Sequence, residues 1–236
     1  MSKKNRKTRA LRVEGLENRE LMAGDLGIAL VNGTLNVTGS DAGDFVRVMQ
    51  IGNNLSVYQG YSKPLRTYPL SSVGSLNIAT NGGNDRIEVK ASSKIFDAIF
   101  INLGSGSKEW VDVGVGGARS VTIDAKASLG TKVFLDGYFS GLASIDYGSD
   151  PAADEFYTQK STFNRLDVKM GGGDDFCQLS RTSVSNASIN MGSGDDRFNN
   201  LYDSNVQAGT IDGGTAVRGN RWGGPRFGSR VSVRGF

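Results

Sequence analysis

Histidine is absent from the 236-residue chain. Its absence removes the commonest general base and the commonest metal ligand, and with them zinc sites of the Cys/His type. Cysteine occurs once, at Cys177, so no disulfide can form within the chain. Stability outside the cell would have to come from the fold itself. Proline is scarce at four residues, which excludes a proline-rich linker, and no glycine period of three suggests collagen. No run approaches the roughly 18 apolar residues of a membrane-spanning helix. The basic start is not followed by the apolar stretch of about 7–15 residues that a secretory signal needs, because the best stretch, Leu26 to Val31, is too short.

Glycine is abundant instead, at 33 residues, about twice its usual ~7% share. The net charge of +3 hides a segregation. Lys3, Lys4, Arg6, Lys7, Arg9 and Arg12 crowd the start, and Arg218, Arg221, Arg226, Arg230 and Arg234 follow the last acid, Asp212. Without those eleven, 16 basic residues face 24 acidic ones, so the body carries −8. Such a body attracts cations and repels nucleic acid, which is therefore not the expected partner. Only the arginine-rich ends are suited to polyanions.

The strongest signal is an internal repeat. Ile78, Ile101, Ile123, Ile145, Val168, Ile189 and Ile211 each close a short alternating strand ahead of a turn, at spacings of 23, 22, 22, 23, 21 and 22. Each unit then runs through a glycine-rich turn, such as Gly171-Gly172-Gly173-Asp174-Asp175 or Gly192-Ser193-Gly194-Asp195-Asp196. A second alternating strand and a Ser/Asn-rich stretch follow. Alternation over four or five residues means half-buried strands, and glycine supplies positive φ at corners. The expected fold is all-β: a parallel β-helix or β-solenoid of about 22-residue coils, with the anchor residues stacked in one column.

Four segments are expected. Residues 1–25 form a basic, leader-like, disordered segment. Residues 26–75 form an N-terminal β cap with irregular coils, including a hairpin around Gly52-Asn53-Asn54. Residues 76–217 form the solenoid, and residues 218–236 form an Arg/Gly-rich tail, disordered or peripheral. A cap is expected because an open solenoid end exposes strand edges and core.

The turn aspartates are the candidate metal ligands. Asp85, Asp175 and Asp196 each lie seven residues after an anchor. On adjacent coils Asp175 and Asp196 would stack about 4.8 Å apart, with Asp174 and Asp195 beside them. Four such carboxylates repel unless a cation or water intervenes, and Ca²⁺ favours carboxylate and carbonyl oxygens. The alternative is turn chemistry, in which the side chains cap backbone amides. A catalytic carboxylate pair, as in a carbohydrate-active β-helix lyase or hydrolase, would need a cleft lined by Asp, Lys and Tyr. With tight turns throughout, no enzyme is expected. Trp110 reads as core or rim. Trp222, between Arg221 and Arg226, reads as part of the tail or as cover for the last coil.

Two resemblances bear on function. The turns at 170–178 and 191–199 resemble the Gly-Gly-x-Gly-x-Asp-x-apolar-x nonapeptide of RTX calcium-binding proteins, and 80–88 matches in part. In that family calcium lies between successive turns, but there the motif repeats every nine residues and here it occurs once per coil. Leu16-Glu17-x-Arg19-x-Leu21-Met22, within 12–25, resembles the N-terminal segment of large secreted or surface proteins of planctomycete bacteria and the related LEPR-XLL segment. It implies export or surface placement. The combined expectation is a non-catalytic, extracellular or cell-surface solenoid, structural or adhesive, with calcium as its cofactor and surface or matrix polymers as partners. Its oligomeric state is left open.

Overall fold

The computed structural model describes residues 26–236, so the leader-like 1–25 lies outside the described residues. Two antiparallel units open the chain. β1 (Gly27–Val31) and β2 (Thr34–Thr38) form a hairpin turning at Asn32-Gly33, both with positive φ. β3 (Phe45–Ile51), β4 (Asn54–Gln59) and β5 (Arg66–Pro69) form a meander whose first turn is the expected hairpin at Gly52-Asn53. β2 and β3 already belong to the first coil. β1 covers the outer edge of β2, and β4 with β5 covers that of β3. The parallel stack therefore begins behind paired edges.

The coils follow as β6 (Ser75–Ala79), β7 (Arg86–Asn102), β8 (Gly106–Ser107), β9 (Trp110–Asp124), β10 (Ser128–Leu129), β11 (Lys132–Asp146) and β12 (Glu155–Gln159). Then come β13 (Thr162–Lys169), β14 (Phe176–Ser180), β15 (Ser183–Asn190), β16 (Arg197–Leu201), β17 (Asn205–Asp212), β18 (Arg221–Gly223) and β19 (Val231–Arg234). Every pairing from β6 onward is parallel, coil upon coil. The chain is a parallel β-solenoid.

The anchor residues stack in register as the spacing requires, from Ile78 on Ile101 through to Ile189 on Ile211. The column also extends beyond the repeat read from sequence, to Val37 at one end and Val233 at the other. From Val37 to Ile211 its members are at most 1% exposed. A second wall stacks Val46, Ile87, Val111, Val133, Phe156, Cys177, Phe198 and Trp222. A third runs through Phe96, Ala118, Phe139, Phe163, Val184 and Val206, with Phe139 and Phe163 stacked at 4.8 Å. One thin apolar core is shared by all coils.

Two features depart from expectation. Residues 218–236 are not a disordered or peripheral tail: β18 pairs with β16 and β19 with β17, forming the last coil. The reason is an apolar plug. Trp222 stacks on Phe198 at 4.7 Å, and Phe227 and Phe236 meet Trp222 edge-on at 5.8 and 5.5 Å. Second, not all corners are glycine. Lys160, Arg181 and Tyr202, between the second and third walls, hold φ of 52°, 51° and 52°.

Candidate functional site

The residue entering each strand of the second wall is polar and, in most coils, acidic: Asp44, Asp85, Glu109, Thr131, Asp154, Asp175, Asp196 and Asn220. Its carbonyl joins the parallel ladder, accepting for example Arg197 N–H at Asp175 and Arg221 N–H at Asp196. Its N–H has no carbonyl opposite it, and in nearly every coil a side chain of the next coil takes it. Asp44 N–H donates to Asp85 Oδ1 (2.8 Å) and Asp85 N–H to Glu109 Oε2 (2.6 Å). Thr131 N–H donates to Asp154 Oδ1 (2.6 Å) and Asp154 N–H to Asp175 Oδ1 (2.8 Å). Asp175 N–H donates to Asp196 Oδ1 (2.9 Å), and Asp196 N–H to Asn220 Oδ1 (2.7 Å). The result is a buried ladder whose rungs are carboxyl groups satisfying orphan amides.

These carboxyls are at most 3% exposed. Each spends one oxygen on the amide of the preceding coil, except Asp44, which accepts from Ser40 N–H. The second oxygen of all six acids is buried without a hydrogen-bond partner. Burial dominates the electrostatics, because it penalises the charged form. It lifts Asp85, with Asp44 adding repulsion, and lifts Glu109 to about 7, with Asp85 adding to it. It takes Asp154 to about 7 beside Asp150, and Asp196 to about 6 beside Asp174 and Asp195. Asp175, flanked by Asp154, Asp196 and Asp150, is pushed up to about 9.

Of the five candidate ligands, Asp85, Asp175 and Asp196 are rungs, while Asp174 and Asp195 face outward. Asp174 Oδ1 accepts Asp195 N–H (2.9 Å). Asp195 Oδ1 accepts three amides, from Val217, Arg218 and Gly219, and those bonds hold its carboxyl below the usual range. The four carboxylates expected to converge are thus split between two faces of the strand. Among the described residues no group of three or more Asp, Glu, Cys or His could hold a metal ion. The carboxyls here are bound to backbone amides, so this ligand set does not fit a calcium cage. All five carboxyls accept backbone amides, Asp85, Asp175 and Asp196 from within the core rather than in solvent.

Asp44, Glu109, Thr131, Asp154 and Asn220 were missed as members. The signal is a polar residue two positions before the first inward apolar residue, as in Glu109-x-Val111 and Asp154-x-Phe156. The glycines above the ladder do fit the repeat reading. A Cβ on Gly192 (φ +90°) would lie 1.8 Å from the Gly171 carbonyl oxygen, so stacked turns allow no side chain there.

Outside the core, Asp174, Phe176, Asp195, Arg197, Arg218 and Arg221 line a groove of about 360 Å³ at the C-terminal end. Arg197 and Arg221 are in register on adjacent coils. Arg218 is 90% exposed, 3.8 Å from Asp195. Further along the same wall, Trp110, Phe134, Tyr157 and Phe176 stack outward at 4.8–5.2 Å. A pocket of about 160 Å³ beside Asp136 and Tyr157 is small for a substrate. Nearby Lys90 is committed to Asp112, and Asp136 to Gln159 N–H.

The fold places the chain in the class of parallel β-solenoids. Comparison with protein-family models, curated proteins and solved structures gave no match.

Proposed function

We propose that this chain is a non-catalytic, extracellular or cell-surface solenoid scaffold that holds an anionic matrix polymer at its C-terminal end. The observation that carries this reading is charge segregation along the stack. Residues 197–236 contain six arginines and two aspartates, whereas residues 26–196 contain 14 basic and 18 acidic residues. An acidic rod with a basic end orients a polyanion toward that end and repels it elsewhere. Arg197, Arg218 and Arg221 on one groove rim supply planar donors that match carboxylate or sulfate oxygens. The leader-like Leu16-Glu17-x-Arg19-x-Leu21-Met22 segment supports placement outside the cell.

The test is binding of fluorescent polygalacturonate to the full chain, with neutral dextran as control. Binding is expected at low salt, fading as salt rises above ~0.5 M, where the Debye length falls to a few ångströms. The double variant Arg197→Gln/Arg221→Gln should weaken it about tenfold, two exposed charge contacts being worth up to ~1 kcal/mol each. No binding at low salt, or equal affinity for dextran, would remove the anionic partner from the reading.

A further inference from the structure

The second oxygens of the ladder need an explanation. A buried polar atom without a partner costs about 1–3 kcal/mol, and a bare buried charge more. Here six acids in one stack leave such an atom. The last rung shows what belongs in that position. Asn220 takes the amide of Asp196 through Oδ1, as Asp196 takes that of Asp175. Its second atom is a donor: Nδ2 gives hydrogen bonds to the carbonyl oxygens of Gly213 and of Gly235 (2.9 Å).

We propose that Glu109, Asp154 and Asp175 hold protons in the folded solenoid, each carrying on its second oxygen the hydrogen that Nδ2 carries in Asn220. The ladder is a file of proton sites, not of metal sites, and folding takes protons from solvent. Among the described residues nothing facing these groups supplies a compensating positive charge. Asp154 and Asp175 face Tyr147 and Cys177, both fully buried, along with each other and Asp150. Asp196 faces Asp174 and Asp195, Glu109 faces Asp85, and Asp85 faces Asp44 and the Thr80 hydroxyl. A negative neighbour favours the neutral form in every case.

The direction of the pH effect follows. In the unfolded chain these carboxyls ionise near pH 4. In the fold burial raises all of them, and Asp196 holds its proton until about pH 6, Glu109 and Asp154 until about 7, and Asp175 until about 9. Across that window the folded state binds more protons, so stability is full below about pH 4 and falls as pH rises toward about 9. At pH 7 Asp175 is protonated and Glu109 and Asp154 are each about half so, an uptake of about two protons per chain.

The experiment refolds the full chain from urea in weak buffer at pH 7 and measures proton uptake. It also records the infrared carboxylic-acid C=O band of the folded protein and urea midpoints from pH 5 to 9. The same measurements are made on Asp154→Asn/Asp175→Asn, with and without calcium chloride. Wild type should take up about two protons, show the acid band and lose stability with pH. The double variant should take up only about half a proton, that of Glu109, lose most of the band and show a flatter pH profile. Uptake near zero in wild type overturns the proposal even if the variant does not fold. So does an acid band undiminished in the variant, or a calcium-induced stabilisation that the variant abolishes.

Discussion

Lys160 holds a left-handed backbone at the corner between β12 and β13, where its side chain is exposed. For an L-residue that conformation costs roughly 1–2 kcal/mol, partly offset by the larger chain entropy a glycine would lose on folding. Lys160→Gly should therefore raise the unfolding free energy by roughly 0.5 kcal/mol, seen as a higher urea midpoint at unchanged slope. A lower midpoint would mean that the lysine side chain itself supports the corner. Gly192→Ala is the opposite case: a methyl aimed at a carbonyl of the coil below should destabilise by more than about 2 kcal/mol. The contrast shows what was readable at this scale. Turn glycines were legible because their spacing repeats, but long side chains at positive φ carry no sequence mark. The ladder was half legible. Asp175 and Asp196 stood out through the Gly-x-Gly-x-Asp texture, while Glu109 and Asp154 lack it and do the same job. Period-two alternation also held unused information. Asp175 shares a face with Cys177 and Leu179, and Asp174 with Phe176 and Gln178, so their separation followed from the strand that comes next.

At the scale of elements, the last coil is where sequence and structure differ most. Arg218 to Phe236 is rich in Gly and Arg and holds only two short strands, so composition suggests a loose tail. Its apolar contacts are sparse but well placed. Val233 falls 22 residues after Ile211 and extends the column, and Asn220-Arg221-Trp222 repeats the polar-x-apolar entry of earlier coils. Burial of Phe198 depends on this coil, because Trp222, Phe227 and Phe236 all lie against it. Trp222→Ala removes the stacked ring and opens the end of the core. The ring is half-buried, so the loss should be about 2 kcal/mol rather than the 3–5 of a fully buried tryptophan. The thermal midpoint should fall and amides of β16 should exchange faster. An unchanged midpoint would mean that the coil rests on the end without supporting it. At the other end the hairpin at Gly52-Asn53 was readable, because a Gly-Asn turn between alternating strands is a local signal, whereas the Asn32-Gly33 hairpin was not read from the sequence. Their role in covering the edges of the first coil required the parallel register, which is long-range.

Across the whole molecule, each coil touches only its neighbours, so stability behaves as a chain of coil-to-coil interfaces. A defect should then matter according to where it falls. Ile145 sits mid-column between Ile123 and Val168, fully buried. Ile145→Asp places a charge in the apolar core with no cation on that wall to pair with, and it weakens two interfaces at once. The cost should exceed about 4 kcal/mol, in the range that unfolds a marginal domain. Val233→Asp places the same charge on the final, half-buried strand, where water reaches it and only the interface to Ile211 is affected. Its cost should stay near 1 kcal/mol. Hydrogen exchange distinguishes the two patterns. Val233→Asp should release protection only in β19 and the adjoining part of β17, with the rest unchanged. Ile145→Asp should release β9, β11 and β13 together and divide any remaining protection into an N-terminal and a C-terminal block. If both variants instead lowered protection evenly from β2 to β19, the coils would form a single cooperative unit and the nearest-neighbour description would fail. If Ile145→Asp left β9 to β13 protected, the side chain would have to be escaping the core, and the stacked column would not be what holds the coils in register.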